Sequence, residues 1–315
     1  MTAVLFENIS ELRTVSALGT LANAAIVADD GRIAWIGPTT QAPAADTRID
    51  LGGRAVLPGW VDSHTHMLFD GNRAAEFEAR MAGQSYAAGG INVTVTATRA
   101  ATDTRLEQLL HDRINAARAG GTTTLETKTG YGLDVESERR AARIAATGVD
   151  DVTFLGAHVT PVGVDPDDYV DLVCGDMLDA VAPYVHWIDV FCERGAFDES
   201  QSRKVLQAGR ARGLGLRVHG NQLGAGPGVR LACELGAASV DHVNYLDSED
   251  VERLAASDTV ATVLPACDLS TREPFAPARQ LLDAGAHVAI ASNLNPGTSY
   301  TSSMNFCVAT AVLQM

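Results

Sequence analysis

His64 and His66 stand i, i+2 at the end of the run Val56-Leu57-Pro58-Gly59-Trp60-Val61-Asp62-Ser63. On a β-strand alternate residues share a face, so both imidazoles project to one side and can address a single metal ion. Pro58-Gly59 lets the backbone turn just before the pair. His158, His219 and His242 also end apolar runs of strand length, whereas His111 falls on a helical pattern and His186 and His287 at strand starts. Three neutral imidazoles, one oxygen ligand and an open position for water describe a catalytic mononuclear site suited to zinc or to ferrous or ferric iron. For His219 the alternative is a core histidine satisfied by a carbonyl. For His242, beside Asp241, a contact to water or substrate is favoured over ligation. A two-metal site would need a carboxylated lysine at the fourth strand, but the two lysines, Lys128 and Lys204, end the second strand and lie in a helix.

The elements that must position these groups alternate. Eight apolar runs, 55–64, 122–128, 152–158, 187–193, 214–221, 239–244, 259–266 and 287–293, are separated by helical patterns over 104–119, 135–147, 168–181, 199–212, 227–235 and 248–256. Strands alternating with helices imply a parallel sheet, and eight of them imply an α/β fold closed into a (β/α)8 barrel of the TIM type. Polar residues end nearly every strand, including Lys128, Glu193 and Asn293, and that end is where such barrels carry their active sites. Residues 1–54 read differently. There, 25–28 and 32–37 flank Asp29-Asp30-Gly31 as a hairpin, giving a small β-sandwich-like domain ahead of a barrel over 55–315.

The chain has 315 residues, 46% of them hydrophobic and 5% aromatic, and a net charge of −15. That charge argues against nucleic acid or an anionic membrane surface as partner. Cys174, Cys192, Cys233, Cys267 and Cys307 are odd in number and scattered, which argues for a reducing compartment, the cytoplasm. Glu7 and Glu11 sit where a secretory leader would be apolar, and no apolar run is long enough to span a bilayer.

Several strings then resemble the imidazolonepropionase family of the amidohydrolase superfamily: Pro58 to His66; Gly71-Asn72-Arg73-Ala74-Ala75-Glu76-Phe77; Lys128-Thr129-Gly130-Tyr131-Gly132-Leu133; Ala157-His158; Asp241-His242; and Asn295-Pro296-Gly297-Thr298. The first is shared widely in the superfamily, the second and third are narrow, and the resemblance runs along essentially the whole chain. It implies that His64, His66 and His219 ligate the metal and that Arg73, Tyr86, Tyr131 and His158 hold the substrate, with Asn295, Gly297 and Thr298 touching it from the loop after strand eight. A propionate side chain suits the planar fork of Arg73. Three departures accompany the match. Gln222 stands where the family commonly has Glu; Asn293 stands where it has an Asp that is metal ligand and proton shuttle; and the chain stops at Met315, where relatives continue. The expected activity is metal-dependent hydrolysis of the ring C–N bond of 4-imidazolone-5-propanoate to N-formimidoyl-L-glutamate in histidine catabolism, with Gln222, His242 and Asn293 around the reacting water. The alternatives are another amidohydrolase, such as a heterocycle deaminase, or a ligand-binding relative that has lost catalysis. The expected partner is a small molecule, with a homodimer as the assembly to test.

Overall fold

The computed structural model describes residues 3–83 and 90–315. They form two compact units that divide between Gly59 and Trp60. In the first, β1 (Val4–Arg13), β2 (Thr20–Asp29), β3 (Arg32–Pro38) and β4 (Thr47–Val56) make a single mixed sheet in the order β3-β2-β1-β4. The β2–β3 hairpin turns on Asp30 and Gly31, both at positive φ (50° and 70°), the conformation a type I′ turn needs at its two central residues. Leu5, Ala25 and Val27 form one buried cluster of this unit and Ile9, Leu12 and Ala24 another.

The second unit is an eight-stranded parallel barrel. Its strands are β5 (Trp60–Asp62), β6 (Thr122–Lys128), β7 (Asp151–Ala157), β8 (Trp187–Cys192), β9 (Gly215–Gly220), β10 (Ser239–His242), β11 (Val260–Val263) and β12 (Val288–Ile290), paired in chain order. The first and last edges meet just beyond the strands. Thr65 bridges Leu294, the His66 amide donates to the Leu294 carbonyl at 2.8 Å, and the Asn293 amide donates to the His64 carbonyl at 2.9 Å. Below that seam the buried carboxylate of Asp62 accepts from the Ser292 amide (2.9 Å) and from its hydroxyl.

Three strands differ most from the sequence reading, and one of them, the run expected over 259–266, ends at Val263 because Pro265 opens a helix. The run expected over 55–64 is split, because Val56 ends β4 and Pro58, with no N–H to give a ladder, separates it from β5. The run expected over 287–293 shortens to three residues, so Asn293 sits in a loop at φ 52°. The helix expected over 168–181 is Pro166–Leu172 and Leu178–Val181 joined by a wider turn around Gly175. Helices Ala74–Met81 and Ile91–Ala100, both between β5 and β6, were not expected from the sequence. Among the described residues no helix is long and apolar enough to cross a membrane.

Candidate metal centre and substrate pocket

The carboxyl ends of the strands bring four imidazoles together. Ring centroids lie 4.6 Å apart for His64 and His219, 5.3 Å for His64 and His66, 5.5 Å for His66 and His219, and 5.5 Å for His219 and His242. The Nδ1 atom of His64 is 2.7 Å from Asp241 Oδ2, and that of His219 is 3.1 Å from Asp189 Oδ1. A carboxylate at Nδ1 keeps the proton on that nitrogen and leaves the Nε2 lone pair for a cation, the arrangement found behind metal-binding histidines. Both Nε2 atoms are buried without a hydrogen-bond partner, as are Nδ1 of His66 and of His242. So many bare buried nitrogens in one place are costly unless a cation satisfies them. Burial, with like charge from neighbouring imidazoles and Lys128, pushes His64, His66 and His242 well below the ordinary imidazole range, so they are neutral and able to ligate. This donor set fits a divalent metal.

The donor atoms already gathered within 4.8 Å of one another belong to His64, His219 and His242. His66, expected as a ligand, stands outside that set with its ring stacked on His158, centroids 5.6 Å apart and planes 23° off parallel. His242 also belongs to a second such set, with Cys267 and Asp268.

Beneath the imidazoles lies an ionic layer that sequence reasoning missed. Lys128 Nζ is fully buried, 3.0 Å from Asp189, 3.1 Å from Glu126 and 3.7 Å from Asp241. Glu126 also accepts from the Thr65 amide at 3.1 Å and pairs with Arg217 at 3.2 Å. Burial alone would lower the Lys128 pKa, but the three carboxylates outweigh it and hold the group above its usual range. A protonated amine is not a nucleophile for carbon dioxide, so this lysine is unsuited to a bridging carbamate. The one signal in the sequence was a charged residue inside three of the apolar runs: Glu126 and Lys128 at i, i+2 on β6, Asp189 in β8, and Asp241 in β10.

Against the imidazoles is a pocket whose lining includes His66, His158, His219, Gln222, His242 and Asn293, together with Arg73, Tyr131, Asn295 and Thr298. His64 lies under it, Gly297 lines the neighbouring cleft, and Tyr86 falls outside the described residues. The Arg73 fork is paired with Glu76, a residue sequence reasoning left unassigned, through Nε–Oε1 (2.9 Å) and Nη2–Oε2 (2.7 Å). A Cβ at Gly297 would come within 2.4 Å of Arg73 Nη1, so only glycine permits that approach. Tyr131 rides on a loop whose Gly130, Gly132 and Leu133 amides all donate to the buried Glu138 carboxylate at 2.7–3.0 Å. His158 Nδ1 is 3.0 Å from the Gly130 carbonyl, and burial pushes this imidazole down to about 4. The amide of Asn295 is spent within its own loop, donating to Asn293 and Thr298 and accepting from the Gly297 and Thr298 amides. Gln222 is anchored through its backbone to Glu193, and Arg194, also missed, adds a second cation to the wall.

Three relatives give the chain its context. It is 68% identical over 316 residues to the imidazolonepropionase of Saccharopolyspora erythraea, with 100% of this chain and 81% of the relative covered. The chain belongs to the imidazolonepropionase family. The imidazolonepropionases of Arthrobacter sp. (64% identity, 99% of this chain and 81% of that one) and Mycolicibacterium smegmatis (56%, 100% and 82%) agree. No family model matches the chain. Among solved structures it is similar to a guanine deaminase from C. acetobutylicum with bound guanine (TM-score 0.72, 13% identity, 99% of this chain and 79% of that one) and to an adenosine deaminase from Xanthomonas campestris with bound zinc (0.70, 16%, 99% and 73%). At that identity the likeness shows the fold alone, a barrel that the imidazolonepropionase chain shares with these two enzymes.

Proposed function

We propose that this chain hydrolyses the ring C–N bond of 4-imidazolone-5-propanoate to N-formimidoyl-L-glutamate, a step of histidine degradation, with one divalent metal, zinc or iron. The observation that carries the reading is a pair of histidines, His64 and His219, held through Nδ1 by buried carboxylates with bare Nε2 atoms, the second of them lining the pocket. Family membership names the substrate, and a wall carrying Arg73 and Arg194 in a protein of net charge −15 suits an anionic one. A metal bound there acts as Lewis acid for the ring carbonyl and lowers the pKa of its water toward about 7. His64, His66 and His219 hold that ion, with the Asn293 amide oxygen beside them. His242 and Gln222 orient the water and the carbonyl. Tyr131, His158 and Tyr86 hold the ring, and Asn295, Gly297 and Thr298 shape the loop against it. Unpaired cysteines among the described residues support the cytoplasm as its compartment. The test is turnover of imidazolone propionate against a panel of nucleobases, with zinc and with iron. Turnover of a nucleobase alone would replace this reading with a deaminase.

Two variants probe the pocket. Arg73→Met removes the charged donor from the propionate, and hydrogen bonds to charged groups are worth about 1.5–3 kcal/mol, so kcat/KM is expected to fall roughly 10- to 100-fold. Metal content should stay the same, and an unchanged kcat/KM would remove Arg73 from the site. Asn293 concerns the proton. The departing ring nitrogen needs one, and an amide cannot carry it from water. A positioned acid or base contributes about 10²- to 10⁴-fold, so Asn293→Asp is expected to raise kcat at least about tenfold. Asp tolerates the φ of 52° as Asn does, so the loop keeps its course. Unchanged or lower turnover in Asn293→Asp would mean that another group moves the proton.

A further inference from the structure

We infer a second, thiolate-containing metal site formed by His242, Cys267 and Asp268. These three lie beside the pocket, His242 at the end of β10 and the other two in the helix Pro265–Thr271 after β11. All three are buried, and each offers a ligand atom within 4.8 Å of the others. Among the described residues only this set and that of His64, His219 and His242 have such spacing. The His242 Nδ1 atom is buried without a partner although a carboxylate and a thiol stand nearby; Asp268 accepts from the Ala276 amide and Cys267 faces Thr298 and Asn293, so neither satisfies that nitrogen, and a cation between the three would.

The donor chemistry selects the ion. One thiolate, one carboxylate and one neutral imidazole bring two negative charges, which cancel a divalent cation and leave a neutral assembly suited to a buried site. Sulfur among the donors favours zinc, cadmium or cobalt over magnesium or calcium. As the metal–sulfur bond forms, the Cys267 thiol gives its proton to solvent, Asp268 binds as the carboxylate, and no electrons change hands. The first set contains no sulfur, so the two ions differ in spectroscopic character. A consequence rests on the function proposed above: an ion held by His242 withdraws that imidazole from water and substrate, so zinc beyond one equivalent inhibits.

The experiment starts from the whole protein stripped of metal and titrated with cobalt(II) through two equivalents. The second equivalent is expected to bring a near-ultraviolet thiolate-to-cobalt charge-transfer band. Cys267→Ser should lose that band and one bound equivalent, while Asp268→Asn weakens the second equivalent and spares the first. Circular dichroism checks that each variant is folded. X-ray absorption of the unmodified protein carrying two zinc ions needs no variant, and it should show sulfur at about 2.3 Å. No sulfur in the zinc shell, or a band that survives in Cys267→Ser, overturns the site. A band that depends on Cys267, without inhibition by excess zinc, keeps the site and removes His242 from the reaction.

Discussion

His66→Ala is expected to release the metal and lower kcat/KM at least about 10³-fold, because the ion's several kcal/mol of transition-state stabilisation is lost at ~1.36 kcal/mol per decade. His242→Ala should instead retain the ion and lose activity roughly 10²- to 10⁴-fold, the range for a group that positions or moves a proton. The pair of variants is informative because two geometric signals point different ways. The i, i+2 spacing places His66 beside His64 at one strand end, whereas the donor atoms already gathered are those of His64, His219 and His242. Metal analysis decides between them. If His242→Ala empties the site and His66→Ala does not, the third ligand comes from β10 and His66 belongs to the substrate wall with its stacked neighbour His158.

Lys128→Met carries the largest expected cost in stability. The side chain has no solvent exposure and compensates Glu126, Asp189 and Asp241 at once. Removing one partner of a buried ionic group strands the others, at about 3–5 kcal/mol. Equilibrium unfolding in urea should show the loss as a lower midpoint with an unchanged slope. Because Asp189 and Asp241 also hold His219 and His64, metal affinity should fall as well, by roughly the 10- to 100-fold seen when a ligand's hydrogen-bond partner is lost. Lys128→Arg keeps the charge but not the compact shape, so a similar loss there would assign the effect to packing. A Lys128→Met protein as stable as the parent would mean that Arg217 alone neutralises the layer.

The barrel was legible in the sequence because nearly every strand announces itself twice, as an apolar run and as a polar residue at its end. His158, His219 and His242 were found that way, since a histidine closing an apolar run has few structural reasons to be there. The layer under them was harder to see. Glu126 and Asp189 are short-range anomalies in their own strands, and nothing in a linear pattern says that residues 63 positions apart share one ammonium. The Arg73–Glu76 pair was hidden differently. Sequence reasoning assigned the guanidinium to a ligand and overlooked a carboxylate one helical turn away that reaches it directly. The helices Ala74–Met81 and Ile91–Ala100 escaped because neither carries a side-chain N-cap bond, so the local stop-and-start signals were missing. The shortened β12 was unreadable for the opposite reason, since the apolar run continues past Ile290 while the backbone leaves the ladder.

The seam between the first and last strands sets the order of events in time. His64 is tied to Asp241, 177 positions later, and its carbonyl and the Asp62 carboxylate are tied to residues 292 and 293, some 230 positions away. Contacts so distant along the chain are closed late and slowly, because the loop entropy is lost before the contact gives anything back. A nascent chain therefore carries His64 and His66 as two unconnected imidazoles until the last strand docks. Metal loading is expected to follow completed folding, which stopped-flow refolding with the metal added before or after would check: an ion that speeds refolding would be a nucleus rather than a latch.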